Sequence, residues 1–202
     1  MVTTEVVYNL EEENILTNVR NRNETGIILT FDDGPSKYLN EFLDVLEEEN
    51  VEAMFFWQTR LLHHKRPWNR VVANGHQIGA HTHRHPNLSL LRFDDQLHEI
   101  QTSKETIEQV TGKAVQYFRP PFGQYNEETL AITKQLQLET VMWDIASFDW
   151  ELKQHPDQIV ENIMNHVQEG SILLLHELEQ TLIVLPILIQ KLKASGYHFS
   201  TL

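Results

Sequence analysis

Short, almost entirely apolar segments alternate along the chain with segments whose apolar residues recur at helical spacing. The clearest apolar segments are residues 26–29, 53–57, 140–143 and 171–175. Strands that are apolar on both faces are typical of parallel sheets covered by helices on both sides. The alternation therefore predicts an α/β fold, and a barrel would bring the carboxyl ends of the strands, where active sites lie, to one rim.

Apolar periodicity and end signals predict helices between these strands. Asn126, for example, is expected to cap a helix that carries Glu127 and Glu128 in its first turn. The predicted helices comprise residues 39–46, residues 97–107 with an end near Gly112, a segment that begins at Asn126, residues 156–170 and residues 186–192. A final strand is expected over residues 197–202.

The length and composition fit a single domain. At 202 residues, of which 41% are hydrophobic and 22% charged, the chain can bury a substantial core but is short for two domains. We assign residues 26–202 to this domain. Residues 1–25 are polar and are predicted to be an N-terminal extension, either an extra strand pair or an arm.

The charge of the chain limits its partners. A formal net charge of −13 argues against nucleic acid or an anionic membrane surface as the main partner. The absence of cysteine excludes disulfides and thiolate metal ligands but does not indicate a compartment. No segment is long enough to cross a bilayer, and residues 1–5 lack the features of an export signal. The expectation is a cytoplasmic protein or a chain that begins after a removed export signal, with its oligomeric state left open.

Two adjacent acids, Asp32 and Asp33, stand at the end of the first apolar segment, just before Gly34 and Pro35. Adjacent carboxylates repel each other and resist burial. A buried strand that ends in this way therefore predicts a cation or a reaction at that point.

Two histidines, His81 and His85, follow the short strand predicted at residues 78–79. If a helical turn begins there, the two imidazoles share one face and His83 points elsewhere. Any one of these histidines alone is typical of a polar loop. Together with Asp33 they form a three-ligand set for one divalent ion, Zn²⁺ first, with Co²⁺, Ni²⁺ or Mn²⁺ as alternatives.

Five motifs in chain order resemble those of metal-dependent polysaccharide deacetylases of the NodB-homology group, carbohydrate esterase family 4. They are T-F-D-D-G-P at residues 30–35, H-T-x-x-H at 81–85, R-P-P-F-G at 119–123, S-F-D-W at 147–150 and L-L-H at 174–176. One short motif is weak evidence, whereas five in order, each at a predicted strand end, are strong. The resemblance covers residue 26 to the C-terminus and implies a single-domain, TIM-barrel-like distorted (β/α)7 barrel.

The resemblance also implies roles in amide or ester hydrolysis, which needs a base for water, stabilisation of the oxyanion and a proton for the leaving group. Asp32 is then the general base; otherwise it would be a capping carboxylate. Arg119 positions the base through an ion pair, unless it forms a surface salt bridge. The backbone N–H of Phe122 stabilises the oxyanion, a role that does not depend on the side chain.

The motifs at residues 147–150 and 174–176 supply the implied acid and its pocket. His176 is the general acid, and Asp149 is implied to raise its pKa, because a neutral imidazole protonates an amine poorly. Trp150 and Leu174 are implied to wall a small apolar pocket for the acetyl methyl group. Either side chain could instead be part of the core.

The chain departs from the family pattern at two positions. Ala146 stands where the family commonly has the first acid of D-x-x-D-W, and Asp144, two residues earlier, is a possible partial replacement. Glu177 follows His176 where Asp is frequent. The departure at Ala146 affects the expected substrate preference more than the expected catalysis, because Asp149 is kept.

The function expected from the sequence is a metal-dependent deacetylase that removes N-acetyl groups from N-acetylglucosamine-type sugars, in peptidoglycan or chitin-like oligosaccharides. An O-acetyl esterase acting on xylan-type glycans would use the same residues. A small-molecule amidohydrolase would fit a protein without an export signal. A catalytically silent glycan-binding module is the alternative of a different class.

Overall fold

The computed structural model describes residues 6–8, 15–20 and 26–202. Its strands are β1 Ile15–Leu16, β2 Ile27–Gly34, β3 Met54–Trp57, β4 Gln77–Ala80, β5 Tyr117–Phe118, β6 Glu139–Val141, β7 Ile145–Ala146, β8 Ile172–His176 and β9 Phe199–Ser200. Its α-helices are α1 Leu39–Glu48, α2 Trp68–Ala73, α3 Phe93–Thr111, α4 Glu127–Gln135, α5 Asp157–Met164 and α6 Glu179–Ala194. In the described part of the chain, no helix combines the length and apolar character needed to span a membrane.

All the named strands belong to one parallel sheet, in the order β1-β6-β5-β4-β3-β2-β8-β7, with β9 also paired to β2. The sheet curls into the predicted distorted barrel, in which β2 to β8 are the seven expected strands. Because the strands are parallel, their carboxyl ends meet at one rim. Asp32 of β2, for instance, lies opposite Phe56 of β3 on one side and His176 of β8 on the other.

The described part of the N-terminal segment lies at the open side of the sheet. β1 pairs with β6, Val7 bridges Ile145 of β7, and Asn18 bridges Ser171 just before β8. Residues 6–8 and 15–20 therefore contribute backbone pairing on both sides of the gap between β6 and β7. The rest of the segment for which the sequence predicts a strand pair or an arm lies outside the described residues, and the domain boundary at residue 25 stays a prediction.

Side chains alternate between two apolar layers, because successive residues of a strand face opposite sides of the sheet. Phe31 and Phe55 pack outward against α1, whose Phe42 lies edge-on to Phe31 at a ring separation of 5.0 Å. Met54 and Phe56 face the barrel interior. Each fully buried aromatic side chain contributes about 1.5–3 kcal/mol to stability, so the two layers hold the rim that carries the polar residues.

Most predicted helices are confirmed, but two limits are wrong. The helix predicted over residues 156–170 ends at Met164, and Gly170 instead adopts a left-handed turn before β8. The last helix was expected to begin at Pro186, but it begins at Glu179 and contains Pro186 in its interior. A proline there removes one helical hydrogen bond, and the burial of apolar residues on both sides of it offsets that cost: Val184, Leu185, Leu188, Ile189 and Leu192.

Candidate metal centre and active site

A cavity of about 320 Å³ opens at the carboxyl rim of the barrel. Eight of the ten site residues predicted from the sequence line it, namely Asp32, Asp33, His81, His85, Phe122, Trp150, Leu174 and His176. The remaining two, Arg119 and Asp149, are fully buried and contact Asp32 and His176 from behind. The structure therefore brings all ten residues into one site.

Asp33 joins Asp32 at the cavity because the strand is irregular there. The register of β2 against β3 shifts between Asp32 and Gly34, and Asp33 adopts a left-handed backbone with φ of 67°. A bulge of this kind re-aims side chains that would otherwise alternate between the two faces of the sheet. Two adjacent carboxylates can thus reach the same cavity.

Three potential ligand atoms converge in the cavity. The ligand atoms of Asp33, His81 and His85 all lie within 4.8 Å of one another, and Nε2 of His85 is 3.1 Å from Oδ1 of Asp33. Nδ1 of His81 lies 2.7 Å from the carbonyl oxygen of Arg119. A carbonyl only accepts, so Nδ1 carries a proton, and Nε2, 3.6 Å from Oδ1 of Asp33, is the ring nitrogen that faces the ligand cluster.

The charges of this cluster also suit a cation. Burial acts to raise the pKa of Asp33, but His81 and the other nearby imidazoles hold it below its ordinary value. Burial, assisted by His81, lowers the pKa of His85 to about 4, so this imidazole is neutral at pH 7. One carboxylate and two imidazoles at this spacing fit a divalent ion such as Zn²⁺.

The two histidines are brought together by a loop, so the predicted helical turn is wrong. Thr82 and His85 both have a φ of 65°, and the backbone N–H of His85 donates to Oγ1 of Thr82 at 2.9 Å. The ring centroids of His81 and His85 are 4.9 Å apart. His83 points elsewhere, as predicted, with Nδ1 2.9 Å from Oγ1 of Thr59.

Glu99 of α3 explains why a loop replaces the helical turn. Its carboxylate accepts the backbone N–H groups of His83 and Arg84 at 3.0 and 2.7 Å. These donors would otherwise favour helical bonds or remain unpaired in a partly buried loop. The tertiary contact thus fixes a conformation that spacing alone does not predict.

Asp32 is held by a buried cation. Its side chain is 4% exposed, and Nη1 of Arg119 donates to its Oδ1 at 2.7 Å. The guanidinium also donates to Thr30 and to the carbonyl oxygens of Val141 and Met142. The other carboxylate oxygen, Oδ2, lies 3.8 Å from Nε2 of His81, beside the ligand cluster. Arg119 is therefore a buried ion-pair partner and not a surface salt bridge.

His176 lies on the opposite side of the cavity and is held by Asp149. Nδ1 of His176 is 2.7 Å from Oδ1 of Asp149, whose Oδ2 accepts from the backbone N–H of His176 and from Oγ1 of Thr181. Burial alone would lower the pKa of His176, but the Asp149 carboxylate outweighs it and raises that pKa to about 9. The imidazole therefore carries a proton at neutral pH, with Nε2–H free of Asp149.

Apolar side chains surround the space between these polar groups. The indole of Trp150 is edge-on to His176 at a ring separation of 5.3 Å, and Leu174 is almost fully buried below the cavity. Phe122 is half-exposed at the rim, with its ring 4.5 Å from that of His85. Trp143 and Leu178, which the sequence did not single out, complete the wall.

Asp144 does not replace the missing acid at Ala146. Its carboxylate pairs with Arg20, accepts from Oγ of Ser171 at 2.9 Å and accepts from the backbone N–H of Ile172 at 2.7 Å. Ile172 begins β8, and a strand rises about 3.3 Å per residue, so Asp144 lies near the opposite end of the barrel from His176. The suggestion made from the sequence is wrong because Asp144 precedes the amino end of β7, whereas the site lies at the carboxyl ends of the strands.

Gln58 contacts the site through its side chain and Glu177 through its backbone N–H, which donates to the carbonyl oxygen of Asp32 at 3.2 Å, although the sequence assigned them no role. Nε2 of Gln58 donates to Oδ1 of Asp33 at 2.6 Å. Glu177 accepts from Nε1 of Trp57 at 3.2 Å and from the backbone N–H of Ser36 at 2.7 Å, and burial raises its pKa to about 7. Their positions directly after β3 and β8 could have indicated from the sequence that they lie at the rim. The position of Glu99 inside α3 gives no such indication.

The sequence and structure are similar to those of known deacetylases. Residues 19–141 match the family model described as Polysaccharide deacetylase. The chain is 32% identical over 188 residues to the peptidoglycan-N-acetylglucosamine deacetylase of Bacillus cereus, which covers 89% of this chain and 68% of that protein. A crystal structure of a peptidoglycan N-acetylglucosamine deacetylase in complex with 4-naphthalen-1-yl-N-oxidanyl-benzamide superposes with a TM-score of 0.84 at 31% identity, covering 93% of this chain and 90% of that one.

A pseudoenzyme of the same family is also similar. The CE4 pseudoenzyme of Bacillus anthracis has a TM-score of 0.81 and 29% identity, covering 89% of this chain and 64% of that one. Four curated relatives at 29–32% identity are longer, and the chain spans 52–69% of their lengths. The family match covers more than half of this chain, and the structural similarity extends over most of it. The chain belongs to the polysaccharide deacetylase family, carbohydrate esterase family 4.

Proposed function

We propose that this protein is a metal-dependent deacetylase that removes N-acetyl groups from N-acetylglucosamine-type sugars, in peptidoglycan or chitin-like oligosaccharides, and releases acetate. One observation carries the proposal. A three-residue ligand cluster lies between a carboxylate held by a buried arginine and an imidazole held by a buried carboxylate. Metal-assisted hydrolysis of an amide uses these three elements together, namely a metal ion, a base for water and an acid for the leaving nitrogen.

Asp33, His81 and His85 would hold the metal ion. When bound, a divalent ion supplies a Lewis acid that polarises the acetyl carbonyl and makes water more acidic. The three residues satisfy the requirement for protein ligands without closing the site, since three ligands leave room for further groups.

Asp32 would accept the proton of the attacking water. Arg119 occupies one of its carboxylate oxygens, so the other oxygen is the one available at the cavity. The ion pair also compensates the buried charges of both partners, because removal of one partner of such a pair costs about 3–5 kcal/mol.

His176 would donate the proton that the sugar nitrogen needs to leave as an amine. The pKa of about 9 that Asp149 imposes keeps this imidazole protonated at neutral pH. Once the oxygen of water has bonded to the acetyl carbon, transfer of the proton to nitrogen accompanies cleavage of the C–N bond and leaves acetate and a free amine. The role favours an amide substrate over an activated ester, because a stable leaving group does not need the proton.

The apolar wall would select the small acyl group. Trp150 and Leu174 border a cavity of about 320 Å³, which is at the small end of the range for ligand pockets. The backbone N–H of Phe122 would stabilise the oxyanion from the rim. The residue lies in the single turn Pro121–Gly123 with a left-handed φ of 59°, a fixed geometry for a donor.

Acetate release tests the proposal. The metal-loaded protein is assayed with acetylated chitooligosaccharides, peptidoglycan and acetylated xylan, with Zn²⁺ or Co²⁺ supplied. Release from the first two at a rate well above that from xylan is expected. Exclusive release from xylan would favour the O-acetyl esterase, and release only from small amides would favour the amidohydrolase. Glycan binding without turnover of any substrate would favour the silent binding module.

A further inference from the structure

Gln58 contacts the carboxylate of Asp33 directly. It follows β3 at the carboxyl rim, is 5% exposed, and its Nε2 lies 2.6 Å from Oδ1 of Asp33. The same oxygen is the one that lies 3.1 Å from His85 and 3.6 Å from His81. A carboxylate oxygen accepts through two lone pairs, so the amide can bind one of them and leave the other directed toward the histidines.

The orientation of the amide is fixed by a second residue. Nε of Arg60 donates to Oε1 of Gln58 at 3.1 Å. Arginine has donors only, so the atom of Gln58 that faces it must be the carbonyl oxygen. The NH₂ group is therefore directed at Asp33. The backbone N–H of Gln58 also donates to the carbonyl oxygen of Gly34 at 2.8 Å, which ties the end of β3 to the turn after Asp33.

Asp33 needs such a partner more than Asp32 does. Its side chain is 38% exposed, against 4% for Asp32, and its backbone lies in the left-handed region. Asp32 is fixed by Arg119, whereas Asp33 is anchored by Gln58 through the same oxygen that lies near the two histidines. A ligand carboxylate that is not anchored must be ordered when the metal binds, and this ordering weakens affinity.

We propose that Gln58 is a positioning residue that holds the carboxylate of Asp33 in its metal-binding orientation, and that Arg60 orients Gln58. The inference rests on the proposed metal site at Asp33, His81 and His85. Removal of a hydrogen-bonded partner behind a metal ligand typically costs 10–100-fold in metal affinity.

The test measures the Zn²⁺ dissociation constant of purified protein by competition with a chromophoric chelator. Gln58→Leu removes the donor at nearly constant size and should bind Zn²⁺ roughly 10–100-fold more weakly than wild type. Gln101→Leu makes the same change on the partly exposed surface of α3 and should bind like wild type. Arg60→Leu should give a smaller loss, because Gln58 stays in place but is no longer oriented.

Two further readouts separate positioning from a general structural role. The thermal midpoint of metal-free Gln58→Leu should match that of Gln101→Leu, and the visible absorption bands of Co²⁺-loaded Gln58→Leu should shift relative to wild type. If Gln58→Leu does not fold, Gln58→Asn replaces it, since the shortened amide cannot span the contact to Asp33 and should lose affinity in the same way.

The outcomes distinguish the two proposals. Unchanged Zn²⁺ affinity and an unchanged Co²⁺ spectrum in the folded Gln58 variant, with wild type binding one ion, would overturn the role of Gln58 and leave the metal site intact. An equal loss of affinity in Gln101→Leu would overturn it too. Failure of the wild-type chain to bind either ion would overturn the metal site itself.

Discussion

The substitution Asp149→Asn tests whether Asp149 sets the proton affinity of His176. Asparagine keeps an oxygen that can accept from Nδ1 of His176 but removes the charge 2.7 Å away. The pKa of His176 is about 9 in the native protein, against an ordinary value of about 6.5. Burial lowers this pKa, and only the smaller attraction of Asp33 and Asp32 would still raise it, so without the Asp149 carboxylate it should fall toward 6.5.

The expected effect is large. A fall in pKa from about 9 to about 6.5 is a loss of proton affinity of roughly two to three orders of magnitude, or about 3 kcal/mol. The folded-state pKa of the wild type is raised, so its contribution to stability is fully present below pH 6.5 and is lost as the pH rises through about 9. In Asp149→Asn this alkaline loss should be absent.

Two assays measure this effect. NMR titration of the imidazole in metal-free protein gives the pKa directly. Steady-state kinetics on an N-acetylated oligosaccharide should show a fall in kcat/KM of about tenfold or more at pH 7.5, since roughly a tenth of an imidazole with a pKa of 6.5 is protonated there. Part of the loss should be recovered near pH 6.

The reasoning would be refuted by an NMR titration in which His176 of Asp149→Asn still has a pKa near 9. It would also be refuted if the exposed control Asp94→Asn lowered the pKa as much. A bound dication repels the protonated imidazole and lowers its pKa in both proteins. The comparison of pKa values is therefore made on metal-free protein.

Two other substitutions test the site, and a third tests a buried histidine outside it. Asp32→Asn keeps the size of the side chain but cannot accept a proton, so acetate release should collapse while Zn²⁺ stays bound at one ion per chain. If Asp32→Asn instead loses the ion and Asp33→Asn retains it, Asp33 is the base and Asp32 the metal ligand. His176→Ala should reduce turnover of an N-acetyl sugar by about 10²-fold or more and hydrolysis of an aryl acetate much less, whereas equal losses would mean that His176 acts structurally. His76→Met tests stability at low pH. Burial lowers the pKa of His76 to about 4 in the native state, so the unfolded chain binds more protons than the native state between pH 6.5 and 4. The native state therefore loses up to about 3 kcal/mol of stability as the pH falls through this range. Chemical unfolding at pH 4 and pH 7 should show a smaller loss in His76→Met, and an equal loss would contradict the assignment.

The sequence predicts the parts of this fold that depend on local signals. Apolar segments such as residues 171–175 become strands of a parallel sheet, and Asn126 caps α4 by accepting from the backbone N–H of Thr129. The motif T-F-D-D-G-P marks the end of β2, where both acids reach the cavity. These features follow from hydrophobicity, capping chemistry and the repulsion of adjacent charges.

The sequence does not predict the features that depend on tertiary contacts. Glu99 turns residues 81–85 into a loop, the packing of α6 carries that helix past Pro186, and Asp144 is drawn to the amino end of β8. In each case the spacing of residues along the chain differs from their arrangement in space. The contact of Gln58 with Asp33 belongs to the same class, because only the paired ends of β2 and β3 bring the two residues together.

The metal dependence of the proposed reaction can be measured by adding Zn²⁺ to metal-free protein and following both bound metal and acetate release from an acetylated chitooligosaccharide. Acetate release should rise with added Zn²⁺ and level off at one ion per chain. In His81→Ala, bound metal and acetate release should both be lost, because one of three ligands is gone. Acetate release without metal, or one tightly bound ion in His81→Ala, would contradict the proposed metal-dependent reaction.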